Sequence, residues 1–508
     1  MGSRVIMNVG SRRVIALIAI CALAAGCAPG SSQASPSSAP NPSTASVAPV
    51  PATPSPAATT GPSLGTAEPS SSSPAPSLSS TEPSLGTTEP SLGAKPTFDT
   101  TTPVTLAEWD TETEPGPSGE MDALNAAFHT AYPNVTIKRT AKAFDDYVAT
   151  IKLAASAPDA PDVYQGNEGY SVDAALVKAG LIVPLDDYAT AYGWNTRFGS
   201  PATLDVLRWS TDGSAWTKGP LWGIAQKAEV LGVFYNKATL GKLGISIPTT
   251  FDEFQQSLAA AKAGNVAPIT VGGLDGWPLG HIFMMLQAMF DDPQQIENWT
   301  FAVAGSTFDD QGTQQAAQVM QDWATKGYFA KGFSGIGQEK AAAQFATGDG
   351  LYFLTGPWEN GTFTPMAGNV GWFALPGPIA GTPSPTTGSL SIPYHISAKS
   401  KYPDIGAAYI DFITSSQAAD VVASKGDLPA APLADTSAVD PQSSLAAIIQ
   451  GFESKSSAGL LTPYLDWATA TMGDTLFGDL QKLTAGRMTP AEFTADVQKD
   501  WSKAHPGP

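Results

Sequence analysis

The sequence predicts an α/β protein whose folded part divides into two lobes. Residues 104–508 have the composition of a globular protein, and a stretch of this length is enough for two domains. Along it, short apolar segments alternate with segments in which apolar residues recur every three to four positions, a pattern typical of strands followed by helices. The two cysteines, Cys21 and Cys27, lie near the start. Neither disulfides nor cysteine metal sites therefore organise the folded part.

The order of these segments predicts a βαβ start and parallel sheets. Strands are predicted over 104–109, 135–138, 162–165 and 231–235. Helices are predicted where apolar residues share one face. These faces are Met121, Leu124, Phe128 and Tyr132; Val148, Ile151 and Ala155; Phe254, Leu258 and Ala261; Ile405, Ala408, Tyr409, Phe412 and Ile413; and Phe493, Val497 and Trp501. Two helices are expected to open with a capping box, Thr250 with Glu253 and Thr489 with Glu492.

Residues 1–27 have the pattern of an export signal. A basic start is followed by twelve uninterrupted apolar residues at 14–25, too few to cross a hydrocarbon layer of about 30 Å. The small residues directly before Cys27 resemble the lipobox of bacterial lipoproteins, in which that cysteine carries the lipid. An ordinary secretory signal with a chance cysteine is the alternative interpretation.

Residues 28–103 are dominated by Pro, Ser, Thr, Ala and Gly and contain the near repeat TEPSLG at 81–86 and 88–93. Such a segment has too little apolar surface to offset the entropy lost on ordering. The composition predicts a disordered tether.

The charge balance argues against nucleic acid as a partner. The chain has 27 Lys plus Arg against 46 Asp plus Glu, a formal net charge of -19 and a pI near 4.5. A phosphate backbone would be repelled over most of such a surface.

Common catalytic and cofactor motifs are missing from the sequence. The four histidines, His129, His281, His395 and His505, have no zinc-ligand spacing, and neither a phosphate loop nor a dinucleotide fingerprint occurs. A GxSxG match at 61–65 lies within the tether, where no strand precedes it and no helix follows. We therefore expect no metal and no cofactor. Paired carboxylates for glycoside cleavage stay open, because their separation is not visible in a sequence.

Several tryptophans lie in Gly- and Pro-containing segments typical of loops. The strongest candidates are Trp109, Trp277 and Trp358, and Trp216, Trp222 and Trp372 share the pattern. Pyranose rings present flat C–H faces and a rim of hydroxyls, so a sugar site needs aromatic platforms beside planar polar side chains. These residues favour a sugar site, with packing in the core as the alternative for each tryptophan.

From about residue 104 to the C-terminus the chain resembles the family 1 extracellular solute-binding proteins, the sugar-capturing subunits of bacterial ABC importers. The resemblance lies in seven segments that follow one another in the family's order. They are FDDY at 144–147, APDAPDVYQGN at 157–167, LVKAGLIVPLDDY at 176–188, LWGIAQKAEVLGVFYN at 221–236, GISIPTTFDEF at 244–254, AAAQFATG at 341–348 with GPW at 356–358, and GSLSIPYHIS at 388–397.

The resemblance implies a periplasmic-binding-protein-like fold of the type II class, with a ligand cleft between two hinged lobes. Lobe 1 would span roughly 104–225 plus a later returning segment, and lobe 2 roughly 235–385 plus the C-terminal helices. It also implies a monomeric binding protein without enzymatic activity or cofactor, anchored through Cys27 to the outer face of the bacterial cell membrane. Such a protein captures a mono- or oligosaccharide and delivers it to the permease of an ABC importer.

Carried over residue by residue, the resemblance and the loop aromatics indicate fourteen ligand-binding residues, with Trp358 as the strongest stacking platform. The alternatives are surface acids, hinge contacts and helix packing. The fourteen are Trp109, Glu112, Glu114, Asn167, Glu168, Gln226, Glu229, Asp275, Trp277, His281, Trp358, Ser391, Tyr394 and Asp427.

Three other functions remain open at this point. A secreted glycoside-active enzyme would need two carboxylates flanking the sugar. An adhesion or scaffolding lipoprotein would account for the tether but not for the aromatic loops. A binding protein for a non-sugar solute, such as a polyol, a glycerophosphodiester or a peptide, would keep the fold and change the ligand.

Overall fold

The computed structural model describes residues 94–199, 201–366 and 368–506. The predicted export signal with Cys27, and the predicted tether up to residue 93, lie outside the described residues. The described end of that tether contacts the folded domain. Lys95 Nζ lies 3.3 Å from the Asp411 carboxylate, and the ring of Phe98 lies 5.5 Å from that of Tyr132.

Strands and helices alternate through the described residues. The strands are β1 (Val104–Asp110), β2 (Val135–Ala141), β3 (Val163–Gln165), β4 (Arg208–Trp209), β5 (Trp216–Leu221), β6 (Ala228–Val230), β7 (Gly232–Asn236), β8 (Ile269–Thr270), β9 (Tyr352–Thr355), β10 (Val370–Phe373), β11 (Thr386–Leu390), β12 (Tyr394–Ile396) and β13 (Leu461–Thr462). The α-helices are α1 (Pro115–Ala131), α2 (Phe144–Ser156), α3 (Asp173–Lys178), α4 (Asp186–Tyr192), α5 (Trp194–Arg197), α6 (Lys237–Lys242), α7 (Phe251–Ala263), α8 (Trp277–Phe290), α9 (Pro293–Thr300), α10 (Gln311–Thr325), α11 (Gln338–Ala346), α12 (Pro403–Ile413), α13 (Ser416–Ser424), α14 (Ser444–Ser457), α15 (Met472–Thr484) and α16 (Pro490–Ala504). Short 3₁₀ helices occupy Pro201–Leu207, Phe333–Gly335, Pro357–Glu359, Thr364–Met366, Thr436–Ala438 and Leu465–Ala468.

Two four-stranded sheets carry the fold. In the first, with the order β12-β3-β1-β2, β1 runs parallel to β2 and β3, and β12 is antiparallel to β3. In the second, with the order β10-β7-β9-β8, β8 and β9 are parallel and the other pairs antiparallel. The prediction of parallel sheets is therefore wrong for the pairs that involve β12 or β7, because these two strands enter from the crossing strands β11 and β6 and not through a helical crossover.

The chain passes twice between the two sheets. Ile224 bridges to Tyr394 of the first sheet, and from there the chain runs through β6 into β7 of the second. It returns from β10 through β11 to β12. In these crossings β6 and β11 pair with each other in a three-stranded sheet with β13. The proposed lobe boundaries stay a prediction.

The four predicted strands and the five predicted helical faces coincide with β1, β2, β3, β7, α1, α2, α7, α12 and α16. The predicted capping box of Thr489 and Glu492 is confirmed at the start of α16. The one predicted for α7 is only half formed. Thr250 accepts from the Glu253 backbone N–H, but the Glu253 carboxylate accepts from Thr249, one residue too early.

The apolar side chains form two buried clusters, and these contain three tryptophans that the sequence analysis placed in loops. Trp216, Trp222 and Trp372 are at most 6% exposed. Trp216 stacks on Trp209 at 4.8 Å between ring centroids, and the indole N–H of Trp222 donates to the Trp209 carbonyl. A glycine or proline nearby in the sequence therefore did not place these rings at the surface.

Arg139 on β2 fixes the loop that follows β1. Its guanidinium donates to the Asp110 carboxylate at the end of β1 and, at 2.6 Å, to the backbone carbonyl of Glu112. Gln165, the last residue of β3, accepts from the Thr111 N–H at 2.7 Å. The ends of three neighbouring strands thus hold Thr111 and Glu112 at one edge of the sheet.

Candidate functional site

A cleft opens at the edge of the first sheet where β1 and β3 end. Its empty volume is about 1000 Å³, which includes the part open to solvent. The loop after β1, the end of β3, the crossing before β6 and the turn between β11 and β12 supply polar lining. The start of α8 and the 3₁₀ helices Pro357–Glu359 and Leu465–Ala468 supply aromatic rings. Residues distant in sequence thus meet in one concave site, the arrangement expected at strand ends in α/β folds.

Ten of the fourteen sequence-predicted site residues line this cleft. They come from seven separate segments of the chain, so the structure brings together what the sequence could only propose one residue at a time. The ten are Glu112, Glu114, Asn167, Gln226, Glu229, Trp277, His281, Trp358, Ser391 and Asp427.

Trp109 and Tyr394 do not line the cleft. Trp109, on β1, is half-buried beneath the ammonium of Lys142, which lies 4.2 Å from the ring centroid. Tyr394, on β12, is fully buried, and its hydroxyl lies 3.5 Å from the sulfur of Met121. Both side chains belong to the packing of the first sheet.

Glu168 and Asp275 also lie outside the cleft lining, and each holds neighbouring backbone in place. The buried Glu168 carboxylate accepts from the Ile392 N–H at 3.0 Å. Asp275 accepts from the Gln338 N–H at 2.7 Å, at the start of α11. Their sequence neighbours Asn167 and Trp277 line the cleft instead.

An aromatic wall, defined here as Trp277, His281, Trp358, Tyr464 and Trp467, forms one side of the cleft. The His281 ring lies 5.0 Å from Trp277, 5.4 Å from Trp358 and 5.6 Å from Tyr464, centroid to centroid. Tyr464 in turn lies 5.0 Å from Trp467. Burial lowers the pKa of His281 to about 3, so the wall carries no positive charge at neutral pH.

A buried ion-pair cluster forms another part of the lining. The Lys227 ammonium pairs with the Glu112 carboxylate and, at 3.2 Å, with Asp427. Gln165 donates to the other Glu112 oxygen at 2.8 Å. Burial alone would lower the pKa of Lys227, but the carboxylates of Glu112, Glu120 and Asp427 raise it well above its ordinary value. Lys227 therefore stays charged, and its charge is compensated by the carboxylates of Glu112 and Asp427.

Three further carboxyl groups line the cleft without an ion-pair partner among the described residues: Glu114, Glu229 and Asp466. Burial raises the pKa of each to about 7. Glu112 adds to the effect at Glu114, whereas the hydroxyls of Tyr464 and Ser391 counteract it at Glu229. Each group can therefore gain or lose a proton near neutral pH, depending on what enters the cleft.

Four buried polar atoms in the lining have no hydrogen-bond partner within the described chain. Oδ2 of Asp427 has only its ion pair with Lys227, and the other three are Oε1 of Gln226, Nδ1 of His281 and the hydroxyl of Tyr464. An unsatisfied buried polar atom costs about 1–3 kcal/mol. A ligand that hydrogen-bonds to these atoms would recover that cost.

Gly356 is required for the position of Trp358. A Cβ at Gly356 would lie 1.9 Å from Cζ3 of the Trp358 ring, although the backbone φ of -91° suits any residue. We expect Gly356→Ala to displace the ring and weaken ligand affinity several-fold, with a stability loss of about 1–3 kcal/mol typical of overpacking. Titration calorimetry and indole fluorescence measure both effects.

Gly119→Ala is the matched control for Gly356→Ala. Gly119 lies in α1, and a Cβ there would meet nothing within 4 Å. This variant should keep the ligand affinity. Equal affinities for the Gly356→Ala and native proteins would contradict the assigned role of the glycine.

The sequence analysis missed ten other lining residues. They are Thr111, Phe144, Gln165, Lys227, Ala228, Ile392, Tyr464, Asp466, Trp467 and Phe477. Tyr464, Asp466 and Trp467 lie in the segment Pro463–Trp467 (PYLDW). The criterion that selected Trp277 and Trp358, an aromatic beside proline or glycine, would have found this segment as well.

Two features are absent from the described residues. No group of three or more His, Cys, Asp or Glu side chains is placed to hold a metal ion within 94–199, 201–366 and 368–506. Over the same residues, no helix has both the length and the apolar character needed to cross a membrane.

Two curated relatives match part of the chain. The multiple sugar-binding protein of Streptococcus mutans is 24% identical over 203 residues, which cover 39% of this chain and 48% of the relative. A probable sugar-binding periplasmic protein of Mesorhizobium japonicum is 26% identical over 195 residues, 38% of this chain and 44% of the relative. The matched part thus spans about half the length of each relative.

Solved structures match over a larger share of the chain. One, from work on xylan utilization by Caldanaerobius polysaccharolyticus, has a TM-score of 0.68 at 24% identity and covers 78% of this chain and all of that one. A chitin oligosaccharide binding protein has a TM-score of 0.68 at 22% identity, covering 80% of this chain and all of that one. These matches confirm the predicted fold class, a two-lobed α/β fold of the periplasmic-binding-protein type.

A family profile covers more than half of the chain. The profile of the bacterial extracellular solute-binding proteins matches residues 112–420. That range begins in the loop after β1 and includes most of the cleft lining, from Glu112 to Ile392. This chain therefore belongs to the family of bacterial extracellular solute-binding proteins.

Proposed function

We propose that the protein captures a mono- or oligosaccharide outside the cytoplasm and delivers it, unaltered, to a membrane ABC importer. The observation that carries the proposal is the placement of the aromatic wall beside hydrogen-bonding side chains in one cleft. Trp277 and Trp358 offer indole faces for the C–H face of a pyranose. Asn167, Gln226 and Ser391 offer polar groups for its hydroxyls.

The relatives support a carbohydrate as the ligand. The name of the Streptococcus mutans protein says that it binds multiple sugars, and that of one structural match says that it binds chitin oligosaccharides. Because this chain matches only about half of each curated relative, the ligand class is a proposal here. It rests on the side chains of this cleft together with those names.

Capture would work by closure of two lobes on the ligand. Three passages of the chain are suitable hinges: β6 into β7, β11 into β12, and the segment between α13 and α14 that leads to the C-terminal helices. Lobe 1 would hold the first sheet (roughly 104–225 with the returning segment), and lobe 2 the second (roughly 235–385 with the C-terminal helices). A ligand that binds the closed form better shifts the population toward it, and the permease would recognise that form.

We further propose that the protein acts as a monomer anchored to the outer face of the bacterial cell membrane. The sequence of residues 1–27 supports an export signal, and the small residues before Cys27 support lipidation there. Two or more acyl chains give a stable anchor, because each buried methylene contributes about 0.8 kcal/mol. The low-complexity segment after Cys27 would let the domain reach its permease.

A thermal-shift screen of the purified protein against mono- and oligosaccharides tests the proposal. A ligand at 100 times its dissociation constant stabilises the folded state by about 2.7 kcal/mol, so one sugar class should raise the melting temperature clearly. Polyols, a glycerophosphodiester and peptides form the comparison panel. If one of these compounds raises the melting temperature and no sugar does, carbohydrate capture is contradicted.

Recovery of the bound sugar separates binding from catalysis. After prolonged incubation, the oligosaccharide that stabilises the protein should be recovered intact by mass spectrometry. Shortened or transglycosylated products would instead support a glycoside-active enzyme that uses two of the cleft carboxyl groups.

A further inference from the structure

We propose that the cleft prefers a carbohydrate that carries a protonated amine to the neutral sugar of the same shape. This inference rests on the proposed function, because it assumes a carbohydrate ligand. It adds a substrate class that neither the fold nor the family determines.

The charges in the cleft are unbalanced. Among the residues that the structure describes, five carboxyl groups line it, and the only ammonium group in the lining is that of Lys227. Lys227 already pairs with Glu112 and Asp427. Glu114, Glu229 and Asp466 are left without a cation among the described residues. A neutral sugar would leave all three uncompensated when ionised, whereas a protonated amine would supply the missing charge.

The lining of the cleft favours an organic ammonium group over a metal ion as the cation. The described residues place no three His, Cys, Asp or Glu side chains closely enough to hold a metal ion. The carboxyl groups are instead spread along a cleft whose aromatic wall includes Trp277, Trp358 and Trp467. An ammonium group over an indole face gains a further cation–π attraction of about 0.5–2 kcal/mol. This lining suits an organic ammonium group carried on a ring-sized ligand.

Unpaired polar atoms outside the carboxyl groups also favour a ligand that donates hydrogen bonds. The amide oxygen of Gln226 is buried and without a partner, and it can only accept a hydrogen bond. Nδ1 of His281 also lacks a partner, and a neutral imidazole has one nitrogen free to accept. An ammonium group can satisfy these unpaired acceptors, because it donates up to three hydrogen bonds and accepts none.

The pH dependence of binding gives a distinct signature. The three unpaired carboxyl groups have a pKa of about 7, raised by burial. Below pH 7 they take up protons that an incoming cation must displace, so affinity for an amine that stays protonated throughout this range should fall from pH 7.5 to pH 5.5. Other titratable groups face them and will shape the curve: Glu112, Glu339, Glu359 and Lys227 near Glu114; Tyr464, Asp427, Glu168 and Lys227 near Glu229; and Tyr464 near Asp466.

Calorimetric titration with matched ligands tests the inference. The probes are 6-amino-6-deoxyglucose, whose amine stays protonated over the pH range used, 6-acetamido-6-deoxyglucose and glucose, together with the corresponding galactose series. Within a series the members differ chiefly at one substituent, a free amine, an acetamide or a hydroxyl. At pH 7.5 and low salt we expect the amine to bind at least tenfold more tightly than its neutral counterparts, and the advantage to shrink in 0.5 M NaCl.

Equal or tighter binding of the acetamide or hydroxyl member would overturn the inference and leave carbohydrate capture standing. Spermidine serves as a non-sugar amine. Binding of spermidine with no sugar bound would keep the cation preference and overturn the carbohydrate proposal. Absence of binding by every probe would overturn both.

Variants separate the cleft carboxyl groups from the general acidity of the protein. Glu114→Gln and Asp466→Asn should each lower affinity for the amine about tenfold and lower affinity for the neutral sugar by a clearly smaller factor, because only the amine loses a charge partner. Retained binding of the neutral sugar also shows that the variant is folded. Asp187→Asn, at an exposed acid outside the cleft, is the matched control and should change neither affinity. An equal effect of all three substitutions would overturn the assignment.

Discussion

Trp358→Ala is expected to weaken affinity for the carbohydrate ligand by roughly 10- to 100-fold, about 1.4–2.7 kcal/mol. The Trp358 ring lies within the aromatic wall, 6.3 Å from Trp277 and 5.4 Å from His281, and its residue is only partly buried. The substitution removes a large apolar face that a sugar ring would cover. Titration calorimetry with the sugar identified by the thermal-shift screen measures the loss.

Trp109→Ala is the matched control for Trp358→Ala. Trp109 is also a half-buried tryptophan, but it lies outside the cleft with Lys142 over its ring. Its truncation should lower stability and leave the affinity of the folded protein unchanged. Trp358→Phe, which keeps a smaller aromatic face, should fall between the native protein and the alanine variant. Native affinity for Trp358→Ala would place the ring among the packing residues.

The periodicity of apolar residues predicted individual strands and helices but not how the strands pair. The strand over 104–109 and the helix with Met121, Leu124 and Phe128 were recognisable because one face of each is buried, and the burial period is the sequence period. The direction of β12 was not predictable in this way. Its partner β3 lies more than two hundred residues earlier, and nothing local determines whether two such strands run parallel.

The residues of the candidate site were likewise predictable only in part. Glu112, Asn167 and Gln226 could be proposed because each lies in a segment that resembles the family. The local path of the backbone decides whether a residue or its neighbour in the sequence faces the cleft. Asn167 lines the cleft, whereas the Glu168 carboxylate accepts from the Ile392 N–H. The role of Lys227 was missed because its partners, Glu112 and Asp427, come from loops on opposite sides of it in the sequence.

Lys227→Met is expected to destabilise the protein by about 3–5 kcal/mol at pH 7.5, as measured by urea unfolding. The side chains of Lys227, Glu112 and Asp427 are 13%, 7% and 4% exposed, so the variant leaves two carboxylates buried without their cation. Glu120 lies nearby, fully buried, and neither of its carboxylate oxygens has a hydrogen-bond partner within the described chain. Burial raises the pKa of Glu120 well above its ordinary value, and the positive charge of Lys227 partly counteracts this rise.

The pH dependence of the Lys227→Met loss distinguishes lost charge from lost packing. Burial already raises the pKa of Asp427 and of Glu120, and Lys227 counteracts it, so without the ammonium both should rise further above their unfolded values of about 4. The folded state then binds more protons than the unfolded state, so the stability of the variant falls as pH rises through the interval between those values. The destabilisation should therefore be smaller at pH 5 than at pH 7.5, and Glu112→Gln with Asp427→Asn in the Lys227→Met background should restore part of it at pH 7.5. An equal loss at both pH values, with no recovery in the triple variant, would mean that the methylene chain of Lys227 matters and its charge does not.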